Sequence, residues 1–139
     1  MKKILVLCTG NSCRSQMAHG FLESLTDFQI FSAGTKPEPV NMYAAEVMKE
    51  LDINISSNTS NHIDEYLNQN IDLVLTVCNN AKEICPVFPK QTNFIHNSFD
   101  DPADATGSYE QKIVVYKKIR DQIHNFLKSE FLPMINNKI

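Results

Sequence analysis

The sequence predicts an α/β fold: a three-layer α/β/α sandwich, as a single domain over residues 1–139, built around a central and mainly four-stranded parallel sheet. Three observations predict it. Apolar runs of strand length alternate with segments of helical period, the order expected when parallel strands are joined by crossover helices. The runs Ile4-Leu5-Val6-Leu7 and Leu73-Val74-Leu75 have no polar interruption, as befits strands buried on both faces. Finally, 139 residues of which 42% are hydrophobic supply enough apolar material for one core.

Each element has its own warrant. Met1-Lys2-Lys3 before Ile4 to Leu7 has the charge-then-apolar order of a signal peptide, but the run is too short and leads into Cys8, Thr9 and Gly10. It reads as a first strand. Met17, Ala18, Phe21, Leu22 and Leu25 recur at helical spacing and define a helix from about Ser12 to Leu25. Phe28 to Ser32 forms a second strand closed by Ala33-Gly34. A loop with Pro37 and Pro39 follows, and Asn41 caps a helix expected to bury Ala44, Val47, Met48 and Leu51. His62 to Leu67 suggests a short helix. Asp72 to Val77 is a buried central strand ending at Cys78. From Cys78 through Pro86, Val87, Phe88 and Pro89, helix-compatible residues mix with breakers, and a movable segment is expected. Asn93 to His96 is a brief last strand. From about Ser108, the residues Ile113, Tyr116, Ile119, Ile123, Phe126 and Leu127 mark a long final helix, with Pro133 and the tail from Met134 to Ile139 expected beyond its ordered part.

Composition narrows the function classes. A net charge of −3 argues against nucleic acid as a partner, and the absence of a Lys/Arg run argues against an anionic membrane surface. No stretch approaches the roughly 20 apolar residues that span a bilayer. Four widely spaced cysteines without an export signal are expected to be cytoplasmic thiols, available for chemistry or metal, rather than a disulfide framework.

The densest chemistry lies in Cys8-Thr9-Gly10-Asn11-Ser12-Cys13-Arg14-Ser15, which places a thiol and a guanidinium five residues apart between a strand and a helix. If the intervening backbone wraps with its N–H groups inward, amides, helix dipole and Arg14 converge on one tetrahedral anion. Residues Thr9 to Ser15 are therefore the expected oxyanion-binding set, with Cys8 as nucleophile. A free cysteine titrates near about 8.5, and this field is expected to lower that of Cys8, with Ser15 adding a hydrogen bond to the thiolate. Cys13 reads as a packing residue, contributing its backbone to the loop.

Cys78 follows the central strand, and Asp100-Asp101-Pro102 follows a later one. Open α/β sheets gather ligands outside the carboxyl ends of their strands, so these groups can meet at one rim. Either aspartate suits general acid work; the alternative is that they merely cap a turn before Pro102. Cys78 and Cys85, six residues apart, fit neither a C-x-x-C pair nor a zinc knuckle; by spacing alone they are core thiols, half of a metal site or redox partners. His19, His62, His96 and His124 show no ligand spacing with the cysteines, and no metal site is expected.

Several ordered motifs together resemble the low-molecular-weight protein tyrosine phosphatase superfamily: CTGNSCRSQMA from Cys8, SAG at Ser32 to Gly34, the pair Cys78 and Cys85, FDDPA at Phe99 to Ala103, and the amphipathic last helix. More narrowly they are similar to its thioredoxin-coupled arsenate reductases. The resemblance implies that Cys8, Arg14, Cys78, Cys85 and Asp101 are catalytic, with Asp101 as the general acid. It implies arsenate as substrate, a three-cysteine disulfide relay, no bound organic cofactor, and thioredoxin as the external reductant. The alternative is a low-molecular-weight protein tyrosine phosphatase, for which Cys8, Arg14 and Asp101 suffice; Ala103 after Pro102 and the lack of tryptophan weigh against a phenyl-ring sandwich. A third reading is a thiol protein that binds arsenite or a soft metal. Some reductases of the group hold potassium beside the loop through a glutamate and an aspartate. This chain has His19 and Asn61 at those positions, so weak or no potassium binding is expected.

Overall fold

In the computed structural model, which describes residues 2–78, 88 and 92–136, four parallel strands form one sheet in the order β2-β1-β3-β4. β1 is Lys3–Cys8, β2 Gln29–Gly34, β3 Leu73–Thr76 and β4 Asn93–His96. The helices are α1 (Arg14–Leu25), α2 (Met42–Lys49) and α3 (Tyr109–Phe126), and a last short α4 (Leu132–Ile135). This is the predicted parallel α/β architecture, with both central strands flanked on each side.

Register explains the layers. Leu5 lies beside Phe31 and Val74, and Val74 beside Phe94, so these four side chains share one face of the sheet. There Phe31 meets Tyr66, in a single 3₁₀ turn over Ile63–Tyr66, with ring centroids 5.1 Å apart, and Phe94 meets Phe88 at 5.8 Å. Residues one step along face the other way. Ser32 bonds His19 of α1, and α1, α2 and α3 pack on one another over that side. Ile4 to Leu7 and Leu73 to Leu75 are fully buried, as their unbroken apolar runs require.

Local signals set most boundaries. Asn41 accepts from the amides of Tyr43 and Ala44, as its capping role demands. Ser108 and Gln111 form a reciprocal capping box at the start of α3. Two expectations need correction. Leu51 is 41% exposed instead of buried, because α2 ends at Lys49 and the chain turns through Asp52 at a φ of 61°. The C-terminal segment also stays ordered past Pro133: the helix widens into a π turn over Leu127–Phe131 and continues as α4, burying Phe131 and Ile135. Pro133 falls in the first turn of α4, where its missing N–H is tolerated. The expected movable segment between Cys78 and Pro89, Cys85 included, lies outside the described residues apart from Phe88.

Candidate active site

The loop from Cys8 to Arg14 joins β1 to α1 at the carboxyl edge of the sheet, and its carbonyls from Thr9 to Cys13 are each engaged by a donor. The amides of Lys36, Glu38 and Asn41 bond the carbonyls of Thr9, Gly10 and Ser12 at 2.9, 2.8 and 3.0 Å. Gln16 Nε2 and Ser60 Oγ both donate to the Asn11 carbonyl, at 3.1 and 2.9 Å, and Met17 N takes that of Cys13. Pro37 and Pro39 alternate with Lys36 and Glu38, so the residues that carry N–H groups make the bonds and those without one do not. With the carbonyls turned outward, the amides of Gly10, Ser12, Cys13 and Arg14 have no protein acceptor among the described residues. Unpaired backbone donors are costly unless something takes them, and a ring of them makes an anion nest.

Asn11 holds this shape. It is fully buried, and its φ of 49° lies in the left-handed region that asparagine tolerates better than most residues. Its Nδ2 donates to Ser15 Oγ and its Oδ1 accepts from Asn61 N, both at 2.9 Å. Ser15 is thus bonded to Asn11, and not to Cys8 as expected. Behind the loop, a Cβ at Gly34 would lie 2.4 Å from the Thr9 carbonyl, so only glycine permits that approach. His19 sits one layer out, its Nδ1 2.7 Å from Ser32 Oγ and its Nε2 3.4 Å from Glu23. Burial holds its pKa below the usual value despite Glu23.

Arg14 ties the loop to the segment after β4. Its Nη1 donates to the Phe99 carbonyl at 2.9 Å, its Nη2 lies 3.4 Å from Asp101 Oδ2, and its buried Nε has no partner among the described residues. Asp101 Oδ1 accepts from Ala103 N at 3.0 Å, which is the cap expected before the turn at Pro102, and its other oxygen faces Arg14. Asp100 is exposed and pairs with neither. The loop floors a cavity of about 190 Å³ walled by Lys36, Glu38, Asp101 and Ala103. A second cleft of about 500 Å³ opens beside it between Thr9, Arg14, Cys78 and the aspartates 100, 101 and 104.

Cys78, two residues past the end of β3, reaches the first thiol. Its side chain hydrogen-bonds that of Cys8, and Thr9 Oγ1 is 3.5 Å from its Sγ. Cys8 is 4% exposed and Cys78 3%. The bond from Cys78 and burial together push the Cys8 thiol up, against Arg14 and the Thr9 amide, which pull it down. The expected depressed thiol is therefore not what this arrangement gives: the neighbouring Cys78 thiol and burial outweigh the pull of Arg14. Cys13 packs in the core with Sγ 3.9 Å from Tyr116 Oη. No group of three metal-ligating side chains occurs among the described residues.

Lys36 and Glu38 escaped sequence reading. Their only local signal is the Lys-Pro-Glu-Pro alternation, which marks an extended run without saying what it runs beside.

A family model for the low molecular weight phosphotyrosine protein phosphatases matches residues 3–138. The chain belongs to that family. Among curated members, a Halalkalibacterium halodurans protein called arsenate reductase is 44% identical over 130 residues, covering 92% of this chain and 94% of its own. The Bacillus subtilis arsenate reductase is 43% identical over 129 residues, 91% of this chain and 93% of its own. A solved structure described as an arsenate reductase in the phosphate binding state superposes over 100% of both chains with a TM-score of 0.81 at 28% identity. A low molecular weight protein tyrosine phosphatase from Bacillus subtilis shares the fold, with a TM-score of 0.77 at 23% identity over 99% of each chain. No described helix is long and apolar enough to cross a membrane.

Proposed function

We propose that this protein reduces arsenate to arsenite. Arg14 and the amides of the loop from Thr9 to Ser15 hold the oxyanion. Cys8 Sγ attacks arsenic, and an arsenate oxygen leaves as water with the thiol proton and a proton from Asp101. Cys78 Sγ then attacks Cys8 Sγ; the sulfur–arsenic bond breaks, its electron pair stays on arsenic, and arsenite departs with the Cys78 proton as the two sulfurs join. Cys85 attacks Cys78 and frees Cys8, and thioredoxin reduces the resulting Cys78–Cys85 disulfide by thiol exchange. No organic cofactor enters, and the cycle suits the cytoplasm, where such reductants keep thiols reduced.

The observation that carries this reading is the second thiol in contact with the first. A phosphatase needs Cys8, Arg14 and Asp101 and has no use for Cys78. Among the described residues, the cavity walls also carry no aromatic side chain to hold a phenyl ring.

Arsenate-dependent NADPH consumption with thioredoxin and its reductase tests the reading, run beside hydrolysis of an aryl phosphate. Cys78→Ser and Cys85→Ser should each abolish multiple turnover of arsenate and leave any aryl phosphate hydrolysis largely intact. If both activities fall together in folded variants, the cysteines are structural. Wild-type protein inactive on arsenate would end the proposal.

A further inference from the structure

The cavity over the loop has two carboxylates on its walls, and they differ in what occupies them. Asp101 is committed, Oδ2 to Arg14 and Oδ1 to the Ala103 amide. Glu38 enters no side-chain hydrogen bond or ion pair among the described residues, although its backbone is pinned by the 2.8 Å bond to the Gly10 carbonyl and by a proline on either side. Its Oε2 lies 3.5 Å from where a Cβ on Gly10 would sit, the same distance as Ser12 Oγ from that point, so the carboxylate leans over the anion loop.

We propose that Glu38 is a specificity-determining residue: it accepts a hydrogen bond from a protonated tetrahedral oxyanion and disfavours one that has no proton to give. The inference rests on the cavity being the oxyanion site argued above. Loop amides and Arg14 are all donors, and they suit any tetrahedral dianion alike. An ionised carboxylate only accepts. Hydrogen phosphate and hydrogen arsenate carry an O–H near neutral pH and meet Glu38 as donors, whereas sulfate sets lone pair against lone pair. A site built to bond a ligand hydroxyl discriminates strongly against the analogue without it, and the unpaired charge acts as the repulsive element. Lys36 on the same wall carries a compensating charge, so the selection is for the proton and not for total charge.

The test titrates reduced full-length protein with inorganic phosphate and with sulfate by calorimetry at matched ionic strength near neutral pH. Wild type should prefer phosphate, and Glu38→Gln should shrink that preference by about tenfold, chiefly by tightening sulfate. Lys36→Met should weaken both anions by a similar factor and leave their ratio alone. Glu38 is exposed, so its variants are expected to fold, and thermal melts check this. A phosphate-to-sulfate ratio within about twofold of wild type in Glu38→Gln would overturn the inference, even if both affinities moved together, because charge alone would then be acting. The binding ratio is read without turnover: loss of arsenate reduction with the ratio shift intact would refute the proposed function only, and turnover with an unmoved ratio would refute the role of Glu38 only.

Discussion

Replacing Asn11 with alanine removes a side chain that carries no chemistry and should disable the site. The truncation deletes two 2.9 Å bonds, leaving Ser15 Oγ and the Asn61 amide without a partner. An orphaned buried group such as Ser15 Oγ costs ~1–2 kcal/mol and the half-buried Asn61 amide less, so the pair costs ~2 kcal/mol. Alanine at a φ of 49° adds ~1 kcal/mol more, since a left-handed backbone is harder for a residue that cannot bond locally. The sum, ~3 kcal/mol, should lower Tm by about 10 °C in a chain of this size. Glycine at the same position relieves the backbone and loses the same bonds, so Asn11→Gly should recover about a third of the drop. Phosphate affinity should fall more than about tenfold in both variants, because the loop amides lose their fixed direction. Differential scanning calorimetry and phosphate titration measure the two quantities. An Asn11→Ala protein melting within about 2 °C of wild type, with phosphate affinity unchanged, would refute the reasoning.

Asp101→Asn should slow single-turnover chemistry while phosphate affinity is kept, since the change removes the proposed proton donor and leaves Arg14 and the loop to bind the anion; Asp100→Asn should be milder, and the opposite ranking would move the acid role to Asp100. Burial holds the pKa of both His19 and His124 below the ordinary value of 6.5, so the unfolded chain takes up those protons first. Stability is then complete above about 6.5 and declines as acidification carries the pH down through the lower folded values. His124 stacks on Phe21 with centroids 4.4 Å apart, so His124→Phe should keep the stack and flatten part of that decline; a Tm that does not change on acidification would contradict this. Potassium and sodium chloride at equal ionic strength should give the same Tm and arsenate turnover, because His19 and Asn61 supply no anionic oxygen beside the loop; a potassium-specific gain in both would show that a cation site exists.

The sequence by itself determined the elements and the first half of the site. Unbroken apolar runs announced β1 and β3, the Asn41 and Ser108 caps marked two helix starts, and Cys8 through Ser15 marked the candidate anion loop, because each is a property of residues close along the chain. The spacing of Cys8 and Arg14 needed no other part of the molecule. Tertiary structure alone decided what meets them. The strand order β2-β1-β3-β4 sets β3 beside β1, and that brings Cys78, seventy positions from Cys8, into contact with it. The same packing gives Arg14 the Phe99 carbonyl, gives Asn11 the Asn61 amide, and lays Lys36 and Glu38 over the loop. It also raised the Cys8 thiol that the local motif alone would lower, since burial and a neighbouring thiol are long-range facts. Periodicity and capping are read within a few residues, whereas a proton's position in a buried cluster depends on every group that the fold brings near it.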